Sequence, residues 1–317
     1  MNRIITFTFN PAIDKSTTIG HLVPEKKLAC SPPVFEPGGG GVNISRAIRN
    51  LGDHSTAVYL SGGYTGRFFS SLIEKEHLDA INVTISGKTR ENLVVMDVST
   101  GQQYRFGMPG PTVSEKEWQP CLEIIRKTSE DDYIVVSGSL PPGMPPEIMG
   151  DIAAIVKKRR AKLIVDIAGK PLECALKEGV YLIKPNLSEL GAYIGNASIT
   201  ETEVYQAARQ IINRGQSAAV VVSLGAAGCI LVTKDEQVMI PAPLVKPLST
   251  VGAGDSMLAG IVLKLSKGAG FLGAVRYGIA CGTAATLHPG TALCQANDVE
   301  KLFQQVLNNA SVTMATW

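Results

Sequence analysis

The segment Gly252-Ala253-Gly254-Asp255 combines closely spaced glycines with a carboxylate, and it opens a long apolar stretch that predicts a helix. Glycine lets the backbone turn tightly and bring free N–H groups up to a ligand. A helix start adds unpaired donors and the positive end of the helix dipole, so the segment favours an anion. Asp255 could then accept a proton while the amides stabilise charge on a transferring phosphoryl group. An ordinary aspartate at a helix start is the alternative.

A second glycine-rich segment, Gly38–Asn43, also runs directly into a predicted helix. Four consecutive glycines leave room for a ligand against bare backbone. The side-chain amide of Asn43 can hydrogen-bond to sugar hydroxyls. The segment therefore indicates a binding loop for a polyhydroxylated ligand, with a flexible connector as the alternative.

Two further motifs follow predicted strands. In Lys184–Leu190, Asn186 and Glu189 are three residues apart, which places them on one face of a helical turn. Their hard oxygens suit Mg²⁺, usually through its waters, although a helix-capping pair has the same spacing. The segment Ser223–Gly228 could bring a nucleotide close to the backbone, or be an ordinary glycine turn.

Three separate bases, Lys27, Arg90 and Arg105, lie in segments predicted to project from the sheet. A sugar phosphate needs such cations, although most single surface bases are only solvated. Several rival signatures are absent from the sequence. Gly87-Lys88-Thr89 lacks the upstream glycine of a P-loop, no Gly-x-Gly-x-x-Gly follows the first strand, and the four histidines have no ligand spacing. We therefore expect neither a nicotinamide dehydrogenase nor a zinc site.

Composition narrows the class of protein. The 317 residues are 45% hydrophobic and carry a net charge of +2 without a basic run, which argues against nucleic acid as a partner. The six cysteines form no Cys-x-x-Cys pair, and we expect buried free thiols. The N-terminus lacks the apolar stretch of a signal peptide, and no run approaches the roughly 20 apolar residues of a membrane span. We expect a cytoplasmic protein with no membrane partner.

Short apolar strands alternate with amphipathic helices along most of the chain. This pattern predicts an α/β fold, with a mostly parallel sheet and helices on both faces. Ligands of such sheets bind beyond the carboxyl ends of the strands. The predicted strands include Ile4–Phe9, Thr56–Leu60, Tyr133–Ser137, Leu163–Asp166, Tyr181–Lys184 and Ala219–Ser223. The predicted helices include Val42–Leu51, Thr65–His77, Pro145–Arg160, Glu201–Arg214, Gly254–Lys267, Phe271–Leu287 and one near Asn297–Leu307.

Two stretches break the alternation. Residues 12–36 lack helical periodicity, and residues 90–107 read as a hairpin with its turn at Ser99-Thr100-Gly101. We expect them to form a small projecting β-sheet that covers the site as a lid, with a plain edge decoration as the alternative. No linker or repeat divides the sequence, so residues 1–317 are interpreted as one domain. The tail Ser311–Trp317 is predicted to fray.

Taken together and in order, Gly-Gly-Gly-Gly-Val-Asn, Lys-Pro-Asn-x-x-Glu and Thr-Val-Gly-Ala-Gly-Asp resemble the ribokinase-like carbohydrate kinases, also called the PfkB family. The resemblance covers nearly the whole chain and implies a ribokinase-like fold and transfer of phosphate from ATP. Within the family, the sequence is most similar to members that phosphorylate fructose 6-phosphate at the C1 hydroxyl. The supporting stretches are Pro33–Gly41, Thr89–Leu93, Gln103–Phe106 and Val136–Gly143.

Gly40 bears on the choice of sugar. The 1-phosphofructokinases and tagatose-6-phosphate kinases of the family usually carry lysine at this position, so Gly40 tilts the expected substrate toward fructose 6-phosphate. Those two activities remain the same-class alternatives. A catalytically silent sugar-phosphate sensor is the alternative of another class, and the presence of Asp255, Lys184 and Glu189 argues against it.

The resemblance also implies roles for individual residues. Asp255 would be the base, and the amides of Gly252, Ala253 and Gly254 would form an anion hole. The sugar phosphate would be held by Asp14, Lys27, Gly39, Asn43, Arg90, Arg105 and Ser139. ATP would be held by Lys184, Asn186, Ser223, Gly225 and Gly228, with Glu189 organising Mg²⁺ through water. A K⁺ ion would lie against Ser249, Val251, Ala285, His288, Gly290 and Ala292, mostly on backbone carbonyls.

Some positions depart from the similar family members. His288 and Ala292 stand where those members carry Asn and Arg, which bears on K⁺ dependence if side chains shape the cation site. Pro247 stands near the expected adenine position where serine is usual. Such members pair through their projecting β-layers, so the resemblance also implies a homodimer through the lid strands.

Overall fold

The short apolar runs of the sequence form thirteen strands, and the amphipathic stretches form ten helices, within residues 2–196, 198–290 and 292–308, which this computed structural model describes. The strands are β1 (Ile4–Thr8), β2 (Ala12–Ile19), β3 (Val34–Gly38), β4 (Thr56–Gly62), β5 (Ala80–Ile85), β6 (Arg90–Asp97), β7 (Gln102–Phe106), β8 (Tyr133–Ser137), β9 (Lys162–Asp166), β10 (Val180–Ile183), β11 (Ser217–Ser223), β12 (Cys229–Thr233) and β13 (Gln237–Ile240). The helices are α1 (Gly40–Asn50), α2 (Gly63–Lys75), α3 (Glu115–Arg126), α4 (Ile148–Lys158), α5 (Lys170–Glu178), α6 (Leu187–Ile194), α7 (Glu201–Asn213), α8 (Ala253–Ser266), α9 (Phe271–Ala285) and α10 (Ala296–Asn308). The tail Ser311–Trp317 lies outside the described residues.

Nine strands form the main sheet in the order β13-β12-β11-β10-β9-β8-β1-β4-β5. The seven strands from β11 to β5 pair in parallel, and β12 and β13 add antiparallel pairs at one edge. The predicted mostly parallel sheet is confirmed. Because the parallel strands run in one direction, their carboxyl ends meet along one edge of the sheet, where binding loops follow them.

Both faces of the main sheet are buried. In β8, Ile134 and Val136 pack into one core with α3, α4, α5 and α7, while Tyr133 and Val135 pack into the other with α1, α8, α9 and α10. Alternate residues of a strand point to opposite faces, so a strand that is apolar throughout needs helices on both sides. The predicted helices on both faces are confirmed.

A separate four-stranded sheet has the order β3-β2-β6-β7. It is called the lid below, and its expected role as a cover for the site stays a prediction. Its centre is the parallel pair β2 and β6, which starts at Ala12 opposite Arg90, and β6 and β7 form the predicted hairpin. The lid strands lie within residues 12–38 and 90–106. Pro37 and Gly38 pair with Ile13 and Ala12 of β2, so β3 extends beyond the predicted limit at residue 36.

Some sequence expectations need correction or addition. The strands β5, β12 and β13 at the sheet edges were not among those predicted, and neither were α3 and α5. Five of the six cysteines are buried, but Cys30 is exposed, so the expectation of buried thiols was wrong there. Cys30 lies on the connection between β2 and β3, where a single bridge to Ile19 is its only strand contact among the described residues. Within the described ranges, no helix is long and apolar enough to cross a bilayer.

Candidate active site

Asp255 lies in the first turn of α8, opposite the glycine-rich loop that opens α1. The helix is preceded by Gly252 at φ 73°, and a Cβ built there would lie 2.4 Å from Leu293 Cδ2, so this position requires glycine. Asn43 Nδ2 donates a hydrogen bond to Asp255 Oδ2 at 2.8 Å. The two motifs are 212 residues apart in sequence, and this contact joins the predicted base to the predicted sugar loop.

The carboxyl group of Asp255 is perturbed. Burial and the neighbouring charge of Asp166 raise its pKa to about 6, against the opposing effects of the Asn43 hydrogen bond and the Lys184 ammonium. A carboxylate with this pKa is still ionised at neutral pH and is a stronger base than an ordinary aspartate. The first amides of α8 face the same space, since the first N–H groups of a helix have no intrahelical acceptor. The arrangement places this carboxylate beside helix amides that have no intrahelical acceptor, which fits the predicted roles of base and anion hole.

Lys184 follows β10 and pairs with Asp166 at the end of the neighbouring strand β9. The Lys184 Nζ–Asp166 Oδ1 distance is 3.1 Å, and only 5% of Lys184 is exposed. Burial opposes the charge of Lys184, but Asp166 and Asp255 outweigh it, so the pKa of Lys184 is raised and the ammonium persists. The ammonium lies close to the start of α8, 3.5 Å from the position of a Cβ on Gly254. A fixed cation therefore stands next to the helix start.

Asp166 was missed by the sequence analysis as a site residue. Ser137 Oγ donates to its Oδ2 at 3.3 Å, so it joins β8, β9 and β10 at one point. The signal was present, because the predicted strand Leu163–Asp166 ends on a carboxylate at the binding edge of the sheet.

Asn186 and Glu189 form a capping box at the start of α6. Asn186 Oδ1 accepts from the Glu189 amide at 2.9 Å, and Glu189 Oε2 accepts from the Asn186 amide at 2.9 Å. The capping alternative noted from the sequence is thus observed. The predicted part of Glu189 in organising Mg²⁺ stays a prediction. Within the described residues, no group of three or more His, Cys, Asp or Glu side chains could hold a metal ion alone.

Three of the predicted nucleotide residues, Ser223, Gly225 and Gly228, line one cavity of about 320 Å³. Ala253 and Gly254 at the start of α8 line the same cavity, so it opens onto the predicted anion hole. Lys184 and Asn186 lie outside its lining. The other lining residues are Ala226, Ala242, Pro243, Leu244, Val245, Pro247, Thr250, Met257, Ile279, Gly282, Thr283 and Thr286. The cavity lining is mostly apolar, which is typical of pockets that bind small organic ligands.

On the lid side, Asp14 and Arg90 lie at the start of the parallel strands β2 and β6. Asn92 Nδ2 donates to Asp14 Oδ1 at 2.9 Å, and burial raises the pKa of Asp14 despite that bond. Arg90 Nη2 donates to the Asn10 carbonyl at 2.9 Å, and Asn10 Nδ2 donates to Ser139 Oγ at 3.0 Å. Asn10, which the sequence analysis missed, therefore connects Arg90 and Ser139, two residues predicted to bind the sugar phosphate.

Three predicted sugar residues, Gly39, Arg105 and Lys27, remain to be located. Gly39 directly precedes α1, and Asn43 lies in the first turn of that helix. Arg105 Nη2 donates to Thr250 Oγ1 at 3.3 Å, which connects β7 of the lid to the loop before α8. Lys27 is exposed on the connection between β2 and β3, and no hydrogen bond or ion pair within the described residues joins it to the other sugar residues.

Three of the residues predicted to hold K⁺ lie together. Ser249 Oγ donates to the Gly290 carbonyl at 3.1 Å and accepts from the Val251 amide at 3.2 Å. His288 instead directs Nε2 to Asp298 Oδ2 at 2.9 Å, so its side chain makes a hydrogen bond to α10. The Ala285 carbonyl accepts from the His288 amide, and the Ala292 carbonyl accepts from Gln295 Nε2. The K⁺ site itself therefore stays a prediction.

The fold and this site define a carbohydrate kinase, and comparisons with known proteins agree. A model described as "pfkB family carbohydrate kinase" matches residues 8–298. The chain is 41% identical over 304 residues to the ATP-dependent 6-phosphofructokinase isozyme 2 of Escherichia coli K12, covering 96% of this chain and 98% of that protein. It is 30% identical to the 1-phosphofructokinase of Bacillus subtilis 168, covering 98% and 99% of the two chains.

Solved structures give the same result. The crystal structure of phosphofructokinase-2 from Escherichia coli in complex with potassium superposes with a TM-score of 0.94 at 40% identity, over 97% of this chain and 100% of that one. The crystal structure of the same enzyme in complex with fructose-6-phosphate superposes with a TM-score of 0.92 at 39% identity, also over 97% of this chain and 100% of that one. The chain therefore belongs to the pfkB family of carbohydrate kinases, enzymes that use ATP with a divalent metal.

Proposed function

We propose that this protein is an ATP-dependent 6-phosphofructokinase, which transfers the γ-phosphoryl group of ATP to the C1 hydroxyl of fructose 6-phosphate. The observation that carries the proposal is the hydrogen bond between Asn43 and Asp255. It joins the glycine loop beneath the lid to a helix start that opens onto a nucleotide-sized cavity. A sugar in that loop and a triphosphate in that cavity would meet at Asp255.

In the proposed reaction, Asp255 takes the C1 hydroxyl proton while the hydroxyl oxygen bonds to the γ-phosphorus. The bond from that phosphorus to the β–γ bridging oxygen breaks, and ADP leaves with fructose 1,6-bisphosphate as the other product. The amides of Gly252, Ala253 and Gly254 would stabilise charge on the transferring group. Lys184, whose charge is secured by Asp166, would neutralise the ATP phosphates.

The sugar would be held by Asp14, Gly39 and Asn43, and its 6-phosphate by Arg90, Arg105 and Ser139, with Lys27 as a further candidate. Mg²⁺ would be bound by the ATP phosphates and, through water, by Glu189, which fits a site that lacks an all-protein cage. A K⁺ ion would occupy the carbonyl-rich loop around Ser249, Val251 and Gly290. The predicted cytoplasmic location stays a prediction.

Gly40 supports fructose 6-phosphate over the same-class alternatives. A Cβ built on Gly40 would lie 2.1 Å from Ser137 Oγ, and Ser137 in turn donates to Asp166. A lysine there, as the alternative kinases usually carry, would require Ser137 to move. The 30% identity to a 1-phosphofructokinase nevertheless makes that activity the second candidate to measure.

A coupled ADP-release assay over fructose 6-phosphate, tagatose 6-phosphate and fructose 1-phosphate, with and without K⁺, tests the proposal. We expect the highest kcat/KM with fructose 6-phosphate and a faster reaction with K⁺. A clear preference for either other sugar phosphate would overturn the assignment of substrate. If no sugar phosphate released ADP at saturating concentrations, the sensor alternative would replace the kinase.

A further inference from the structure

Arg46, on α1, has a buried guanidinium group and is not one of the predicted site residues. Only 5% of it is exposed, and its Nε lies 2.9 Å from both carboxylate oxygens of Glu76. Its Nη2 lies 3.0 Å from Glu36 Oε1 on β3 of the lid. A buried charge is retained only when it is paired, and these two carboxylates provide the pairing. The guanidinium is thereby fixed between α1, α2 and the lid.

The remaining nitrogen, Arg46 Nη1, faces the sugar loop. It donates to the Pro37 carbonyl at 3.2 Å and lies 3.5 Å from Asn43 Oδ1. Pro37 directly precedes the glycines of the loop, and Asn43 is one helical turn before Arg46. The other end of the Asn43 amide, Nδ2, donates to Asp255. A single buried cation therefore contacts both the loop and the residue that bonds the proposed base.

We infer that Arg46 is a positioning residue for the proposed phosphoryl transfer, because it fixes the Asn43 amide in the orientation that donates to Asp255. With the amide reversed, its NH₂ group would face the guanidinium and its oxygen would face the Asp255 carboxylate. Both contacts would then be repulsive, whereas both are attractive in the observed orientation. The inference rests on the proposed function, since Asp255 is the base only if the protein is a kinase.

Loss of Arg46 has two expected effects. The Asn43 amide becomes free to turn, so Asp255 loses a donor and titrates at higher pH. The other charged groups that face Asp255 are Asp166 on β9, Lys184 after β10 and Asp14 on β2, and the charge of Arg46 also acts on Asp14, where it opposes the rise in pKa that burial causes. The Pro37 carbonyl also loses its donor, which loosens the loop that would hold the sugar.

The test compares Arg46→Gln with the wild type on the sugar phosphate that the substrate panel selects. We expect the acid limb of kcat/KM against pH to move up by about one unit, and tenfold lower activity on that limb. The KM for the sugar phosphate rises, while the KM for ATP is unchanged. Arg46→Lys keeps the charge but not the fork of donors, so we expect partial rescue.

Arg49→Gln is the matched control. Arg49 Nη2 lies 3.6 Å from Oε2 of the same Glu76 carboxylate, but Arg49 contacts neither Pro37 nor Asn43. We expect its pH profile and both KM values to equal those of the wild type. If Arg46→Gln fails to fold because Glu36 and Glu76 lose this cation, the double variant Arg46→Gln with Glu76→Gln removes one of the two negative charges and should show the same shift.

An acid limb and a sugar KM that stay at wild-type values in a folded Arg46 variant would overturn the inference and leave the proposed function intact. A wild-type protein without kinase activity would refute the proposed function instead. In that case the titration of the Asp255 carboxyl, followed by ¹³C NMR in wild type and Arg46→Gln, makes the same comparison without substrate. Equal midpoints there would also overturn the inference.

Discussion

At the scale of single residues, the site depends on ionisable groups whose pKa values are set by burial and by neighbouring charges. Burial and Asp166 raise the pKa of Asp255, and the same Asp166 helps to keep Lys184 charged. Asp166 therefore acts both on Asp255, the proposed base, and on the ammonium of Lys184. Asp166 lies at the end of a strand and is part of no recognisable motif. Its effect on both groups therefore depends on the fold, which places the strand end beside them.

The pKa of Asp255 predicts the pH dependence of the reaction. Its ionised form is the base, so kcat/KM should fall as the pH drops through about 6, tenfold for each further unit. An ordinary aspartate would place this limb near pH 4. The measurement is kcat/KM for the wild type between pH 4 and 9.

Asp255→Asn is the control for that profile. It should lower kcat by roughly 10²–10⁴-fold and remove the acid limb, since the amide neither titrates nor accepts the proton. Near-normal turnover of this variant, or a wild-type limb close to pH 4, would show that another group is the base.

At the scale of elements, strand ends and helix starts supply most of the site. Strands β8, β9, β10 and β11 end beside one another, and α1, α6 and α8 begin next to them. In α6, the residues at the helix start also stabilise the helix, so capping and metal binding must be separated by experiment.

Glu189→Gln makes that separation. Glutamine also completes a capping box, so the free energy of unfolding should change by less than about 0.5 kcal/mol. If Glu189 organises Mg²⁺, the loss of charge should raise the Mg²⁺ concentration needed for half-maximal activity several-fold. The measurements are thermal unfolding and a Mg²⁺ titration of kcat.

Glu203→Gln is the matched control, because Glu203 forms the same capping box with Thr200 at the start of α7. We expect Glu203→Gln to leave both the free energy of unfolding and the Mg²⁺ concentration for half-maximal activity unchanged. An unaltered Mg²⁺ requirement in Glu189→Gln would limit Glu189 to capping.

At the scale of the whole molecule, the lid is a sheet with two open edges. Val34 on edge strand β3 is 57% exposed, and Phe106 on edge strand β7 is 44% exposed. The lid touches the body at the loop before α8 through Arg105, and Ile13 on β2 packs in a small apolar cluster with Tyr59 and Phe69 of the body. Exposed apolar residues on open strands favour pairing with another surface.

We expect a homodimer formed through the lid strands. Light scattering after size exclusion should give twice the chain mass for the wild type and a single chain mass for Phe106→Asp. Ile81→Asp is the control, because Ile81 is similarly exposed (41%) but lies on β5 at the edge of the main sheet. A Phe106→Asp protein that remains a dimer would argue against assembly through β7.

Much of the fold and part of the site followed from the sequence. The alternation of strands and helices, the projecting lid and the three ordered motifs are local patterns, set by residue periodicity and by glycine within a few positions. That is why Gly252–Asp255, Gly38–Asn43 and Ser223–Gly228 were found without a structure. The same locality explains why the Asn186–Glu189 spacing left capping and metal binding equally open.

Only the tertiary structure decided which distant residues meet. The strand order that brings β8, β9 and β10 together made Asp166 a partner of Lys184, and it brought Asn10 to Arg90 and Ser139. It also left Lys27 exposed, apart from the other sugar residues. Such contacts depend on packing between segments that are 18 to 129 residues apart in the sequence, and no local pattern carries that information. The Asn43–Asp255 hydrogen bond spans 212 residues for the same reason.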